Sequence, residues 1–411
     1  MLSVKDALDR ILVNFQALEP TLIPLQEAAG RILAEPVSAD INLPSFDNSS
    51  VDGFAIRTKD VHGATSDSPK ILKVTGDIPA GKRIDYPIHE KECMRIMTGA
   101  PLPAGADAIV MVEDTDFNFR DTGKPAPSFV EIRKSVEVNE NIRRQGADIF
   151  AGQDLLPKHQ KLRAQDIGLL AMLGLSQMKV IRKPRVAILS GGDELIDVGE
   201  KLDVGKVRDA NSYSLSVLAR EAGADVLQLG IAKDHPNSIK MLLDRAVDEN
   251  VDMIISSAGV SVGAFDFVKK VVESQGSLEF WKVDMRPGKP LAFGQYRKIP
   301  FFGLPGNPVS AFVGFMVFIT PALDKLSGMV SIAKSISRVR LAEEVTSDGR
   351  ETYLRAIVTS ENGTLIARLT GYQASSNMLS LVRANALLII PSGVKSVPLG
   401  EEVNAWLLRG I

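Results

Sequence analysis

The chain has 411 residues, 45% hydrophobic and 24% charged, which is too long for one core and ordinary for a globular protein of roughly two to four domains. With 48 basic and 50 acidic residues the formal net charge is −2, which excludes binding to nucleic acid or anionic membrane by overall charge. One cysteine, Cys93, excludes an intrachain disulfide and a cysteine zinc site and fits a reducing cytoplasm. The four histidines are scattered, so any metal would be a hard cation on carboxylates and phosphate oxygens.

In chain order, Val4, Leu8, Ile11, Leu12 and Phe15 recur at helical spacing between charges, which predicts an amphipathic surface helix rather than a signal peptide. Residues 1–40 read as helical throughout. Residues 41–140 change character, with short β-like runs at 70–75 and 128–132 among Gly, Pro and Asp. Residues 141–178 return to helix, with apolar residues at helical spacing over 164–174. A β-rich unit (41–140) therefore interrupts a discontinuous helical domain (1–40 and 141–178).

From Pro184 strands and helices alternate. Strands are expected at 186–189, 226–231, 252–256, 280–283 and 301–303, and helices at 212–221, 237–247, 265–273 and from Asn307. The pattern predicts a multidomain α/β protein with a doubly wound, mostly parallel sheet at 179–330. The most apolar stretch, 311–319, is short of a membrane span and is expected to stop at Pro321. The tail, 331–411, reads as a C-terminal β-barrel-like domain, with a hairpin signal at Glu361-Asn362-Gly363.

Ligands of open α/β sheets bind beyond the carboxyl ends of the strands. Four loops fall there: S-G-G-D-E-L (190–195), A-K-D-H-P (232–236), A-G-V-S-V-G-A-F-D (258–266) and L-P-G-N-P-V-S (304–310). None is a common phosphate-binding signature. Together they bring Asp193, Glu194, Asp234 and Asp266 to one edge, with Gly192, Gly259, Gly263 and Gly306 leaving backbone open to a ligand. Asn307-Pro308 is an N-cap and first-turn pair, and the helix it starts favours an anion. Carboxylates beside an anion need a cation between them, and Mg²⁺ is the economical choice. W-K-V-D-M-R-P-G-K-P (281–290) adds Lys282, Arg286 and Lys289. Taken singly, each loop also reads as a tight turn, Asp193-Glu194 as a solvated helix start and the three cations as a solvated face. In the β-rich unit, F-D-N-S-S-V-D-G-F-A (46–55) reads alone as a hairpin turn, and R-I-M-T-G-A-P-L-P-A-G-A-D-A-I-V (95–110) as a structural loop.

These stretches, with G-V-S-V-G-x-x-D, P-G-K-P and G-L-P-G-N-P-V-S-A, stand in the order found in molybdopterin molybdenumtransferases, and the chain resembles that family, including the E domain of gephyrin, over nearly its whole length. The resemblance implies an elongated cytoplasmic homodimer whose site is shared between subunits, with transient contact to other cofactor-synthesis enzymes. It also implies Mg²⁺-dependent insertion of molybdate into adenylylated molybdopterin with release of AMP. By position, Asp52 and Thr98 match lid residues that face the site, and Glu194, Asp234 and Asp266 match metal-side carboxylates. Lys282 and Arg286 match catalytic cations, and Ser190, Gly192, Asp193, Gly259, Ser261, Gly263, Lys289, Pro305, Gly306 and Asn307 match substrate-binding positions. In the tail, Arg350 or Arg355, together with Ser375, match substrate contacts. The chain departs from the family pattern at Ala258, at Val51 and Phe54, at Gly191 and at Arg286, each time keeping size or charge. The competing expectations are a molybdopterin adenylyltransferase, a tungstate-preferring paralogue, and a non-catalytic scaffold of the same fold.

Overall fold

The computed structural model describes residues 1–117, 125–258, 265–330 and 336–408. Two compact units emerge. The smaller is Pro36–Pro157 with Met172–Gly174, and the larger is Met1–Glu35, Lys158–Ala171 and Leu175–Ile411.

The smaller unit is built on five strands: β1 (Gly53–Ile56), β2 (Lys70–Ile78), β3 (Glu92–Ile96), β4 (Ala108–Met111) and β5 (Phe129–Ile132), in the order β4-β1-β3-β2-β5. Phe54, Ile56, Leu72, Val110 and Val130 fill one side of the sheet. The hairpin turn read at Asp52-Gly53 is absent. Gly53 opens the interior strand β1, and a Cβ there would collide with the Val110 carbonyl across the sheet.

In the larger unit the expected helical domain is mostly turns and short strands. Helix α1 (Val4–Leu12) is capped by Ser3, which accepts from the Asp6 amide at 3.0 Å, and buries Val4, Ala7 and Ile11 along one face. Pro20–Pro24, read as helix, is a strand paired antiparallel with Gln177–Ile181, since its prolines leave no helical donors. The second helix, α2, is limited to Ala164–Met172.

The central sheet contains β6 (Arg185–Gly191), β7 (Asp225–Ala232), β8 (Met253–Ala258), β9 (Gly276–Lys282), β10 (Pro290–Tyr296) and β11 (Ile299–Gly303), ordered β7-β6-β8-β11-β10-β9. The first four are parallel, and β10 and β9 join antiparallel. Strand residues alternate between two layers. Val186 and Ile188 pack with α1 and α3 (Asn211–Glu221), and Ala187 and Leu189 with α4 (Pro236–Asp248) and α5 (Phe265–Gln275). Each of the larger side chains, Val186, Ile188 and Leu189, contributes roughly 1.5–3 kcal/mol when fully buried.

The apolar stretch before Pro321 does not stop there. Helix α6 (Pro308–Gly314) passes through a π-helical turn, Phe315–Ile319, into α7 (Thr320–Leu326). The wider turn re-routes the bonding that Pro321 cannot support, and Thr320 Oγ1 donates to the Phe315 carbonyl at 3.4 Å. Pro308–Leu326 is long and apolar enough to cross a membrane by length and composition alone, yet 67% of it is buried, with Phe315, Phe318 and Ile319 in the core.

The tail closes into a five-stranded barrel of β12 (Ile336–Leu341), β13 (Glu351–Glu361), β14 (Thr364–Leu369), β15 (Ala386–Ile390) and β16 (Glu402–Leu407), with β13 pairing β15 to complete the ring. The expected hairpin is present, with Asn362 and Gly363 at φ 49° and 79° between Glu361 and Thr364. Met285–Arg286 pairs in parallel with the start of β13, which fastens the cationic segment to the barrel.

Candidate active site

The carboxyl ends of β6, β8 and β11 open into a cleft of about 860 Å³, walled on its other side by residues 286–290 and by barrel residues 350–355 and 373–376. All of it belongs to the larger unit. The sheet edge supplies Gly191, Glu194 and Ser257, and the turn before α6 supplies Pro305, Gly306 and Asn307. Arg286 and Lys289 face them, with Arg350, Arg355 and Ser375 from the barrel side.

Helix α6 begins at Pro308 with Asn307 in the N-cap position, as the sequence predicts. The Asn307 side chain does not cap it. Its Nδ2 donates to Ser375 Oγ at 3.1 Å, and the Val309 amide donates to the Ser375 carbonyl at 3.1 Å. Ser375 thus ties the helix start to the barrel. Across the cleft Asn211, in the first turn of α3, donates Nδ2 to the Gly306 carbonyl at 2.8 Å, and its buried Oδ1 has no hydrogen-bond partner among the described residues. Ser190 is fully buried and shares a 2.8 Å hydroxyl contact with Ser257.

The two tail arginines differ sharply. Arg350 is held by Asp348, which also lies 3.8 Å from Arg286, and donates Nη1 to the Met285 carbonyl at 3.2 Å. Arg355 is 1% exposed. Its guanidinium donates to Ser380 Oγ at 3.1 Å and to the Ala374 carbonyl at 3.0 Å, and it pairs with no carboxylate among the described residues. Burial, and then the positive charge of Arg286, pull it down to about 10. It remains protonated near neutral pH, a buried cation with only neutral partners.

Asp193 and Asp234 do not line the cleft; they lie beside Glu194, which does, and neither pairs with a cation among the described residues. The Asp234 amide donates to Asp193 Oδ1 at 3.2 Å, and the Asp193 amide reaches Asp234 Oδ2 at 3.5 Å. Burial, with the charges of Asp193 and Glu194, raises the Asp234 carboxyl above the usual range. Gly192, at φ 141°, lets the chain turn there, and a Cβ on it would meet the Glu194 carboxylate. No three His, Cys, Asp or Glu side chains come together as a metal cage among the described residues. An oxygen-only set of one or two carboxylates still fits Mg²⁺, which keeps waters and takes its other ligands from phosphate.

Other predicted residues fall elsewhere. Lys282 is exposed at the end of β9 and does not line the cleft. Gly259, Ser261 and Gly263 lie outside the described residues, and Asp266 is described only as part of α5. In the smaller unit Asp52 Oδ1 accepts from both the amide and the hydroxyl of Thr98, each at 2.8 Å. Sequence reasoning missed Asn211, which alone resembles an ordinary helix start. It also could not separate Arg355 from Arg350, because burial and not residue type distinguishes them.

Three family models match in succession: the MoeA N-terminal region (domains I and II) over residues 2–174, a probable molybdopterin-binding domain over 187–325, and the MoeA C-terminal region (domain IV) over 338–408. The chain is 38% identical over 414 aligned positions to molybdopterin molybdenumtransferase 2 of Mycobacterium tuberculosis, covering 99% of both. It is 36% identical to molybdopterin molybdenumtransferase of a Nostoc species, covering 93% of this chain and 87% of the relative. Two crystal structures of molybdopterin biosynthesis MoeA proteins from Pyrococcus horikoshii superpose with TM-scores of 0.84 and 0.80 at 30% and 28% identity, over at least 99% of each chain.

Proposed function

This chain belongs to the molybdopterin molybdenumtransferase family, and from that premise we propose that it inserts molybdate into adenylylated molybdopterin in a Mg²⁺-dependent reaction that releases AMP. The observation that carries this is Arg355, a buried guanidinium without a carboxylate on the wall of a substrate-sized cleft. A cation kept there at a desolvation cost is explained by an oxyanion that arrives to neutralise it.

The oxyanion subsite is Arg355 with Arg286, Lys289 and Ser375, a donor set that suits molybdate. Arg350 is the weaker candidate, because Asp348 already holds it. Gly306 and Asn307 present backbone to the pterin side, and Asn211 Oδ1 is an acceptor placed for an N–H of the bound substrate. Glu194 and Asp234, with Asp266, would hold Mg²⁺, which when bound neutralises the phosphoanhydride oxygens. The chain's own residues supply position and charge rather than a nucleophile, and the cleft walls hold the oxyanion and the dithiolene side by side. The site includes the Asp52–Thr98 pair from the lid of a second copy of the chain.

The test is incubation with adenylylated molybdopterin, Mg²⁺ and molybdate, following AMP by chromatography. Stoichiometric AMP release with appearance of molybdenum cofactor is expected, and no AMP above the enzyme-free control would overturn the assignment.

A further inference from the structure

A second cleft in the larger unit, about 280 Å³, shares no residue with the first. Its lining carries Arg31, Lys161, Arg182, Lys183 and Arg220 against one carboxylate, Glu221. Five cations around one small concavity repel each other in a chain whose net charge is −2.

Existing partners account for two of them. Arg182 bonds both oxygens of Asp252 at 2.7 Å and pairs with Glu19, and Lys183 lies 3.7 Å from Asp225. The other three make no ion pair among the described residues. Arg31 is half-buried and spends one N–H on the Ile181 carbonyl at 2.9 Å, leaving the rest of its donor fork open. Burial holds that guanidinium below its ordinary range, against the pull of Asp225 and Glu27. Arg220 is exposed in the last turn of α3 and makes no side-chain hydrogen bond among the described residues. Lys161 lies within the field of Asp324. The carbonyls at the end of α3 are already used, since Gly223 and Ala224 donate to Arg220 and Ala219 at 2.9 Å each. The negative end of the α3 dipole still faces this side, so an anion is held there by the cations against it.

We propose that this cleft binds a tetrahedral dianion, either free or as the phosphate of a small monoester, through Arg31, Lys161 and Arg220. Its volume is at the lower end for small-molecule sites, so the occupant is a phosphate with few further atoms, much smaller than the substrate of the first cleft. An anion there would bridge chain segments far apart in sequence, so binding should also raise the melting temperature.

The test uses the full chain carrying Arg355→Met, which weakens the first oxyanion subsite, titrated in a calorimeter with inorganic phosphate and separately with glycerol 3-phosphate. One bound anion per chain is expected, and the tighter of the two probes identifies the source. Arg220→Ala, at an exposed and unbonded position, should weaken binding about tenfold, the worth of one charge-assisted contact, while leaving AMP release by an otherwise unmodified chain unchanged. Lys161→Ala should act alike. If neither probe binds, or if both variants bind as tightly as their parent, the proposal is overturned.

Discussion

Two side chains carry costs that only function or pH explains. Arg355 is buried among neutral acceptors, so replacing it removes an uncompensated charge along with two hydrogen bonds. These effects oppose, and Arg355→Met should change folding stability by no more than about 1 kcal/mol in either direction. Molybdate should raise the melting temperature of the parent chain and leave that of Arg355→Met unmoved, as thermal melts with and without the ion would show. A shift of equal size in both would remove Arg355 from the oxyanion site. The sequence offered two tail arginines on equal terms, because what separates them is an Asp348 beside one and a closed barrel wall around the other. Asp324, in α7, is the reverse case. Burial pushes its carboxyl from 3.8 up to about 6, against the pull of Lys161, and it makes no side-chain hydrogen bond among the described residues. A carboxyl with a raised folded pKa stabilises the fold below its unfolded pKa, and that contribution is lost as pH rises through about 6. Asp324→Asn, which does not titrate, should therefore gain on the parent by up to about 3 kcal/mol between pH 4 and pH 8. Urea unfolding at both pH values measures this, and a difference independent of pH would refute it.

Among elements, legibility followed turn chemistry. The Asn362-Gly363 hairpin was readable because both residues tolerate positive φ. The hairpin between β10 and β11 was not, because its two turn residues are Arg297 and Lys298, at φ 46° and 73°. Arg297 is compensated by side-chain contacts, with Nη2 3.3 Å from Asp244 and Nε 3.2 Å from Gln275 Oε1. Lys298 has no such contact among the described residues. A left-handed residue with a Cβ costs about 1–2 kcal/mol, and glycine returns part of that as lost chain entropy. Lys298→Gly should therefore stabilise the larger unit by up to about 1 kcal/mol in denaturant unfolding. Destabilisation would mean that the turn is held by something other than backbone geometry. The same limit explains Pro20–Pro24, read as part of a helical segment although its prolines disfavour helix and it pairs as a strand. It also explains the helix through Pro321, which periodicity alone could not anticipate because a π turn absorbs the break.

At the scale of the molecule, alternation of strands and helices gave the parallel sheet and the edge where the loops gather, since both follow from local pattern and a chirality rule. Contributions that depend on long-range closure were not readable. The barrel brings Arg355 and Ser375 to the cleft only through the pairing of β13 with β15 and of Met285–Arg286 with β13. The lid motif is a further separated piece, confined to a unit of its own with Asp52 and Thr98 bonded to each other. If a site is completed by the lid of a second copy, two different inactive chains can repair one another. Asp52→Ala leaves the cleft of its own chain intact, and Arg355→Met leaves the lid intact. Mixed and allowed to exchange subunits, half of the pairs would be heterodimers, each holding one site with both residues native and one with neither. AMP release should then recover to about a quarter of the level of the unsubstituted chain, although each variant alone is nearly inactive. If lid and cleft of the same chain formed the site, every site in the mixture would lack one residue and no activity would return. Size-exclusion chromatography of the mixture establishes that pairs form, so absence of recovery in a dimeric sample counts against the shared site and not against exchange.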